Sequence, residues 1–244
     1  MDESMVRPAI EFGKDHGLIH EAVITGRKVG AGEEFWAILA HDEERFREIV
    51  ALVLPKKPKG TKQSEDETSE WTRFYREVFS LELDLAGLVL PQKPKGFNWL
   101  IVVAAGLTPN RAYAECEKRF SCWCHAEDLD EATRGRNDRE PTKTYAVRLR
   151  DRVEADNELN SKSANDLTRE KISGVTLLER LILELWYHWK TGGHLDIDNV
   201  TLCSGSRGPG GDVPRVHWRG GCMRVYWTPP GDSLSLLRSR QAVS

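Results

Sequence analysis

Three groups of side chains in this 244-residue chain have the types and spacings that chemistry can use. The first is His194-Leu195-Asp196-Ile197-Asp198. On a β-strand the period of two turns His194, Asp196 and Asp198 to one face. An imidazole with two carboxylates suits a divalent ion such as zinc, manganese or iron. The same alternation also describes an ordinary amphipathic strand with its polar side outward. The second group is Cys116, Cys122, Cys124 and His125. Four soft ligands match a closed zinc site in number, but C-x5-C-x-C-H departs from the CxxC-based spacings. Buried free thiols are the alternative, and adjacent Cys124 and His125 would point apart in a strand, which disfavours a nucleophilic pair.

The third group lies near the C-terminus. Arg215, Arg219 and Arg224 alternate with or flank Trp218, Tyr226 and Trp227, with Arg207 before them and Arg238 and Arg240 after. Arginines that pair with phosphate, interleaved with aromatics on which bases stack, are what a single-strand-binding surface needs. The competing reading is a hairpin whose aromatics pack inward and whose arginines are solvated. A weaker signal is a repeat: Leu52-Val53-Leu54-Pro55 with Lys57-Pro58-Lys59-Gly60 returns as Leu88-Val89-Leu90-Pro91 with Lys93-Pro94-Lys95-Gly96. It reads as two basic loops gripping an anion, or as two solvated turns. No GxGxxG, GxxxxGK[ST] or nucleophile-elbow pattern is present.

The charge is unevenly spread. The formal net charge is -3, yet residues 201–244 carry six Arg against two Asp, a local +4. The whole molecule is thus not a polycation, and attraction for an anion is confined to one region. A hydrophobic fraction of 39% with eight Trp fits a folded protein. Five Cys, an odd number, argue for reduced thiols rather than a disulfide framework. An acidic start, MDESMVRPAIEFGKDHG, without a signal-peptide pattern, and no long apolar run predict a soluble cytoplasmic protein with no membrane partner.

The elements that must position these groups are legible in part. Thr176 to Gly193 reads as the central helix, with Leu177, Leu178, Leu181, Ile182, Leu185, Trp186 and Trp189 on one face. Thr176 and Glu179 form a capping-box pattern, and Gly192-Gly193 the stop. Trp99 to Ala104 reads as a buried strand, and Thr108-Pro109 opens a helix through Phe120. Tyr145, Val147 and Leu149 alternate as in a half-buried strand, and Val213 to Trp227 forms a hairpin about Arg219-Gly220-Gly221. Upstream, short helices are expected over residues 17–54, one of them Glu33 to Ala40 and another capped by Asp42. Glu70 to Ser80 is a further helix with an aromatic core stripe.

From about Phe97 onward the chain resembles a family of uncharacterised bacterial proteins. The likeness is carried by WLIVVAAGLTPN at Trp99–Asn110, RLRDRVEAD at Arg148–Asp156, GVTLLERL at Gly174–Leu181 and HLDIDNVTLCSGSR at His194–Arg207. The resemblance implies no activity, cofactor or site. The reading that results is an α+β protein: a helical region over residues 1–62, a linker over 63–69, and a mixed domain over 70–244 with a C-terminal β-hairpin. Its function is read as non-catalytic binding of an anionic partner such as nucleic acid through Arg215, Trp218, Arg219, Arg224 and Trp227. The alternatives are a metal-dependent enzyme using His194, Asp196 and Asp198, and a structural or protein-interaction subunit. No cofactor is named by the sequence.

Overall fold

The computed structural model describes residues 23–25, 27–42, 45 and 62–244, without the side chains of 62–66. The chain divides into two compact units, Met1–Gly60 and Thr61–Ser244. In the first, helix α1 (Glu33–His41) carries Glu33 and Glu34 in its first turn, where carboxylates complement the helix dipole. The Asp42 carboxylate accepts the Arg45 N–H at 3.0 Å, the bond an N-cap makes. The rest of the helix expected after Asp42, and the first copy of the basic repeat, lie outside the described residues.

The second unit is an α+β fold. Helix α2 (Lys62–Phe79) runs straight through residues 63–69, where composition alone suggested a linker. Its Trp71, Phe74, Tyr75, Val78 and Phe79 are buried, as the aromatic stripe predicts. Strand β1 (Trp99–Val103) pairs antiparallel with β3 (Tyr145–Leu149), and α2 covers the other edge of β1. Trp71 Nε1 donates to the Leu100 carbonyl at 3.1 Å and the Tyr75 hydroxyl to the Val102 carbonyl at 2.8 Å. An edge that would otherwise leave backbone groups unpaired is thereby closed by side chains.

Strand β3 is covered on both faces rather than one. Arg148, on its expected polar side, is only 4% exposed because it pairs with Glu67 of α2 at 2.8 Å. Helix α3 (Pro109–Glu117) starts as the sequence predicts, with Thr108 accepting the Arg111 N–H, and is followed by β2 (Cys122–Cys124) and α4 (Leu129–Thr133). The short helix α5 (Ala164–Arg169) leads to the long helix α6 (Leu177–Thr191). Both bonds of the Thr176–Glu179 capping box are present, and Gly192 ends α6 in the left-handed conformation at φ +72°. Every residue of α6 from Leu177 to Trp186 is buried, so it is surrounded on all sides instead of lying on a surface.

A five-stranded mixed sheet completes the unit, in the order β2-β6-β5-β4-β7. Its remaining members are β4 (Val200–Leu202), β5 (Val213–Arg219), β6 (Cys222–Thr228) and β7 (Leu237–Ser239). The predicted hairpin is β5–β6, closed by Gly220 and Gly221 at φ +62° and +74°, the backbone that a two-residue hairpin turn requires. One sheet face packs Val216, Met223 and Val225 into the main core. Part of the other is covered by a smaller core of Leu159, Ala164, Leu167, Leu202, Val213 and Leu237. No described helix is long and apolar enough to cross a membrane.

Candidate anion-binding face

Alternation along β5 and β6 decides which side chains meet. Arg215 pairs with Tyr226, His217 with Arg224 and Arg219 with Cys222, whereas Val216 pairs with Val225 and Trp218 with Met223. The first set shares the sheet face turned away from the main core. Trp123 of β2, level with Arg224 in the parallel β2–β6 pair, extends that face.

The structure therefore brings together Arg215, Arg219 and Arg224 but sends Trp218 and Trp227 to the opposite side. Trp218 stacks flat on His194, with ring centroids 3.3 Å apart and planes 7° from parallel, and both tryptophans pack against the core. Trp218 sits between His217 and Arg219 in sequence, so a period of two must separate it from both. Tyr226, grouped with the arginines by sequence but not counted among the contact residues, and His217, which sequence reasoning missed, lie on the arginine face in their place. They share the parity of Arg215 and Arg224, a signal present in the sequence. Trp123 carries no such signal, because its place depends on pairing with a distant strand.

On this face the His217 and Tyr226 rings lie 5.8 Å apart and 9° from parallel, and Trp123 lies 4.7 Å from Tyr226. The Arg215 guanidinium sits 5.5 Å over the Tyr226 ring, and Arg224 Nη1 donates to the Tyr226 hydroxyl at 3.2 Å. Among the described residues no carboxylate is ion-paired to Arg215, Arg219 or Arg224; the sheet-side carboxylate Asp196 is taken by Arg180 and Arg240. Arg215 Nε, Arg224 Nε and His217 Nδ1 are buried and find no hydrogen-bond partner among the described residues. Burial, and then the charges of Arg215, Arg224 and Arg219, hold the His217 imidazole below its ordinary pKa. The arginines line an open concavity of about 990 Å³.

The His-Asp-Asp group is arranged differently from its expectation. Residues 194–198 are not a strand: Asp196 has φ +55°, which breaks the alternation, and β4 begins only at Val200. Asp196 is completely buried. Its Oδ1 accepts from Arg240 Nη2 at 2.7 Å and from the Ala155 N–H at 2.8 Å, and its Oδ2 accepts from Arg180 and Thr201. His194 Nδ1 is 2.9 Å from Glu184 Oε1, and Asp198 is exposed at the concavity. The three do not converge, and among the described residues no group of three or more His, Cys, Asp or Glu is placed to hold a metal ion.

That statement includes Cys116, Cys122, Cys124 and His125. Cys116 is buried in α3, and burial pushes the Cys122 thiol up to about 12 and raises that of Cys124. Burial thus favours the protonated form of these two thiols. In the second basic repeat, Lys93 Nζ is spent on Glu67 at 3.3 Å. The chain matches no family model, no curated protein and no solved structure, so its own residues and geometry carry the functional reading.

Proposed function

We propose that the protein is a non-catalytic binding protein for an anionic partner, with nucleic acid as the partner its chemistry fits, and that the exposed face of the β5–β6 hairpin is the contact surface. One observation carries the reading: three arginines share a sheet face and line one open concavity, and among the described residues no carboxylate is paired to them. Guanidinium groups that line an open space without an internal carboxylate are available to a phosphate oxygen. The guanidinium fork matches phosphate geometry better than an ammonium would. Trp123, 41% exposed beside the arginines, offers a ring for stacking. Tyr226 and His217 face one another, so they present ring edges and polar atoms rather than open faces. Affinity on this reading rests on phosphate first and on stacking second.

The test is a titration of the full chain with mixed-sequence single-stranded and duplex oligonucleotides, followed by tryptophan fluorescence at low and near-physiological salt. Saturable, salt-sensitive quenching is expected. Arg219→Ala and Arg224→Ala should each weaken binding and lower the salt slope by about 1. Unchanged affinity in the double variant would reject the reading.

A further inference from the structure

The concavity bearing the arginines has a second wall of different chemistry. Ile197, Leu234 and Leu236 are 57%, 53% and 53% exposed, and all three line the same space as Arg215, Arg219 and Arg224. The sheet explains the juxtaposition. Thr201 of β4 lies opposite Val216 and Leu202 opposite Arg215, so the residues ahead of β4 run back toward the β5–β6 turn. Val200 is level with Leu237 of β7, which brings Leu234 and Leu236 to the same end. Solvent-exposed aliphatics are unremarkable singly but informative when gathered beside unpaired cations. A bare phosphate uses only the arginines, and an uncharged apolar molecule leaves them unpaired.

We infer that the ligand of this face is a nucleoside bearing clustered phosphate charge, its base on the Ile197-Leu234-Leu236 wall and its phosphates on Arg215, Arg219 and Arg224. The inference rests on the anion-binding reading above and narrows it. A space of about 990 Å³ is at the upper end for a small-molecule pocket and holds one or a few nucleotides. A strand threaded along the face would find one exposed ring for its bases among the described residues, Trp123, because His217 and Tyr226 face one another. His217 and Tyr226 are 5.8 Å apart, less than the roughly 7 Å, twice the 3.4 Å base rise, that an inserted base requires. Asp198, also lining the space, is an acceptor that suits a sugar hydroxyl or an exocyclic amine and repels further phosphate. The same chemistry is presented by a free nucleoside polyphosphate and by the phosphorylated end of a strand.

Calorimetric titration of the full chain separates these cases with four probes: ATP, inorganic tripolyphosphate, and one octanucleotide with and without a 5′-phosphate. ATP should bind about tenfold tighter than tripolyphosphate. The surface double variant Leu234→Ser/Leu236→Ser should erase that difference while leaving tripolyphosphate binding unchanged. Preference for the phosphorylated over the unphosphorylated octanucleotide assigns the site to strand ends, and ATP binding without that preference assigns it to free nucleotides. Equal affinity for ATP and tripolyphosphate would overturn the inference and leave anion binding standing. So would tight octanucleotide binding indifferent to the 5′-phosphate and without ATP binding. No binding of any probe would end both readings.

Discussion

Two arginine-rich regions of this molecule put the same side chain to opposite uses. Around α6, Arg180 and Arg240 are buried and meet Asp196 from two sides, while Arg180 also meets Glu184 at 2.8 Å. Arg240 further donates to the Arg152 and Val153 carbonyls. On the hairpin face, Arg215, Arg219 and Arg224 have neither carboxylate nor carbonyl partners among the described residues, and Arg224 reaches only a tyrosine hydroxyl. Within the buried cluster each charge is committed inside the fold. On the hairpin the charges have no carboxylate to meet among the described residues. Arginine content alone, the local +4 of residues 201–244, does not separate the two, since Arg240 belongs to that count as much as Arg219 does.

The contrast breaks most visibly at Asp196. Asp196→Ala leaves two buried guanidinium groups without their shared carboxylate and should cost about 3–5 kcal/mol. Denaturant unfolding reads it directly, and a loss as small as that of a surface substitution would show that the cluster is not structural. In the hairpin, Arg219→Ala/Arg224→Ala should cost more than tenfold in oligonucleotide affinity at low salt and move unfolding free energy by no more than about 0.5 kcal/mol.

Acid sharpens the comparison. Burial raises the Asp196 carboxyl, but Arg240 and Arg180 outweigh it, and the group titrates below its ordinary value. Its contribution to stability is thus complete above the unfolded aspartate pKa of about 3.9 and is lost as pH falls through the depressed folded value. Asp196→Asn should flatten that acid limb in a pH series of unfolding curves.

The smallest expected effect belongs to His217. In the free protein burial and the facing Arg215, Arg224 and Arg219 outweigh the opposing pull of Asp196 and keep it neutral near pH 7. A bound phosphate favours the imidazolium, so affinity should rise a few-fold as pH falls toward the depressed value of the free protein. His217→Ala should bind with a flatter profile, and an unaltered pH dependence would remove His217 from the site.

How much of this was legible varies with the range of the interactions involved. The α6 capping box, the Gly192 stop, the Thr108-Pro109 start and the Gly220-Gly221 turn are decided within a few residues and read correctly from the chain. Helix across 63–69 was not legible, because the segment has no large apolar side chain. Its Glu67 is held by Arg148 and Lys93, both far along the sequence. Strand alternation turns Asp196 outward only along an unbroken strand, and the backbone turns to φ +55° at that residue. Within the site, the three arginines were found by type. The tryptophans are their neighbours in sequence, but strand parity separates them.

The sequence by itself determined the α+β composition of elements, their caps and turns, and the concentration of arginine near the C-terminus, because these depend on local backbone preference and on counting. Only the tertiary structure decided which arginines are spent and which are free. That outcome depends on desolvation and on carboxylates brought from other elements, Asp196 to Arg180 and Arg240 but, among the described residues, none to Arg215, Arg219 or Arg224. A charge acquires its role from what is buried beside it, and burial is a property of the packed chain.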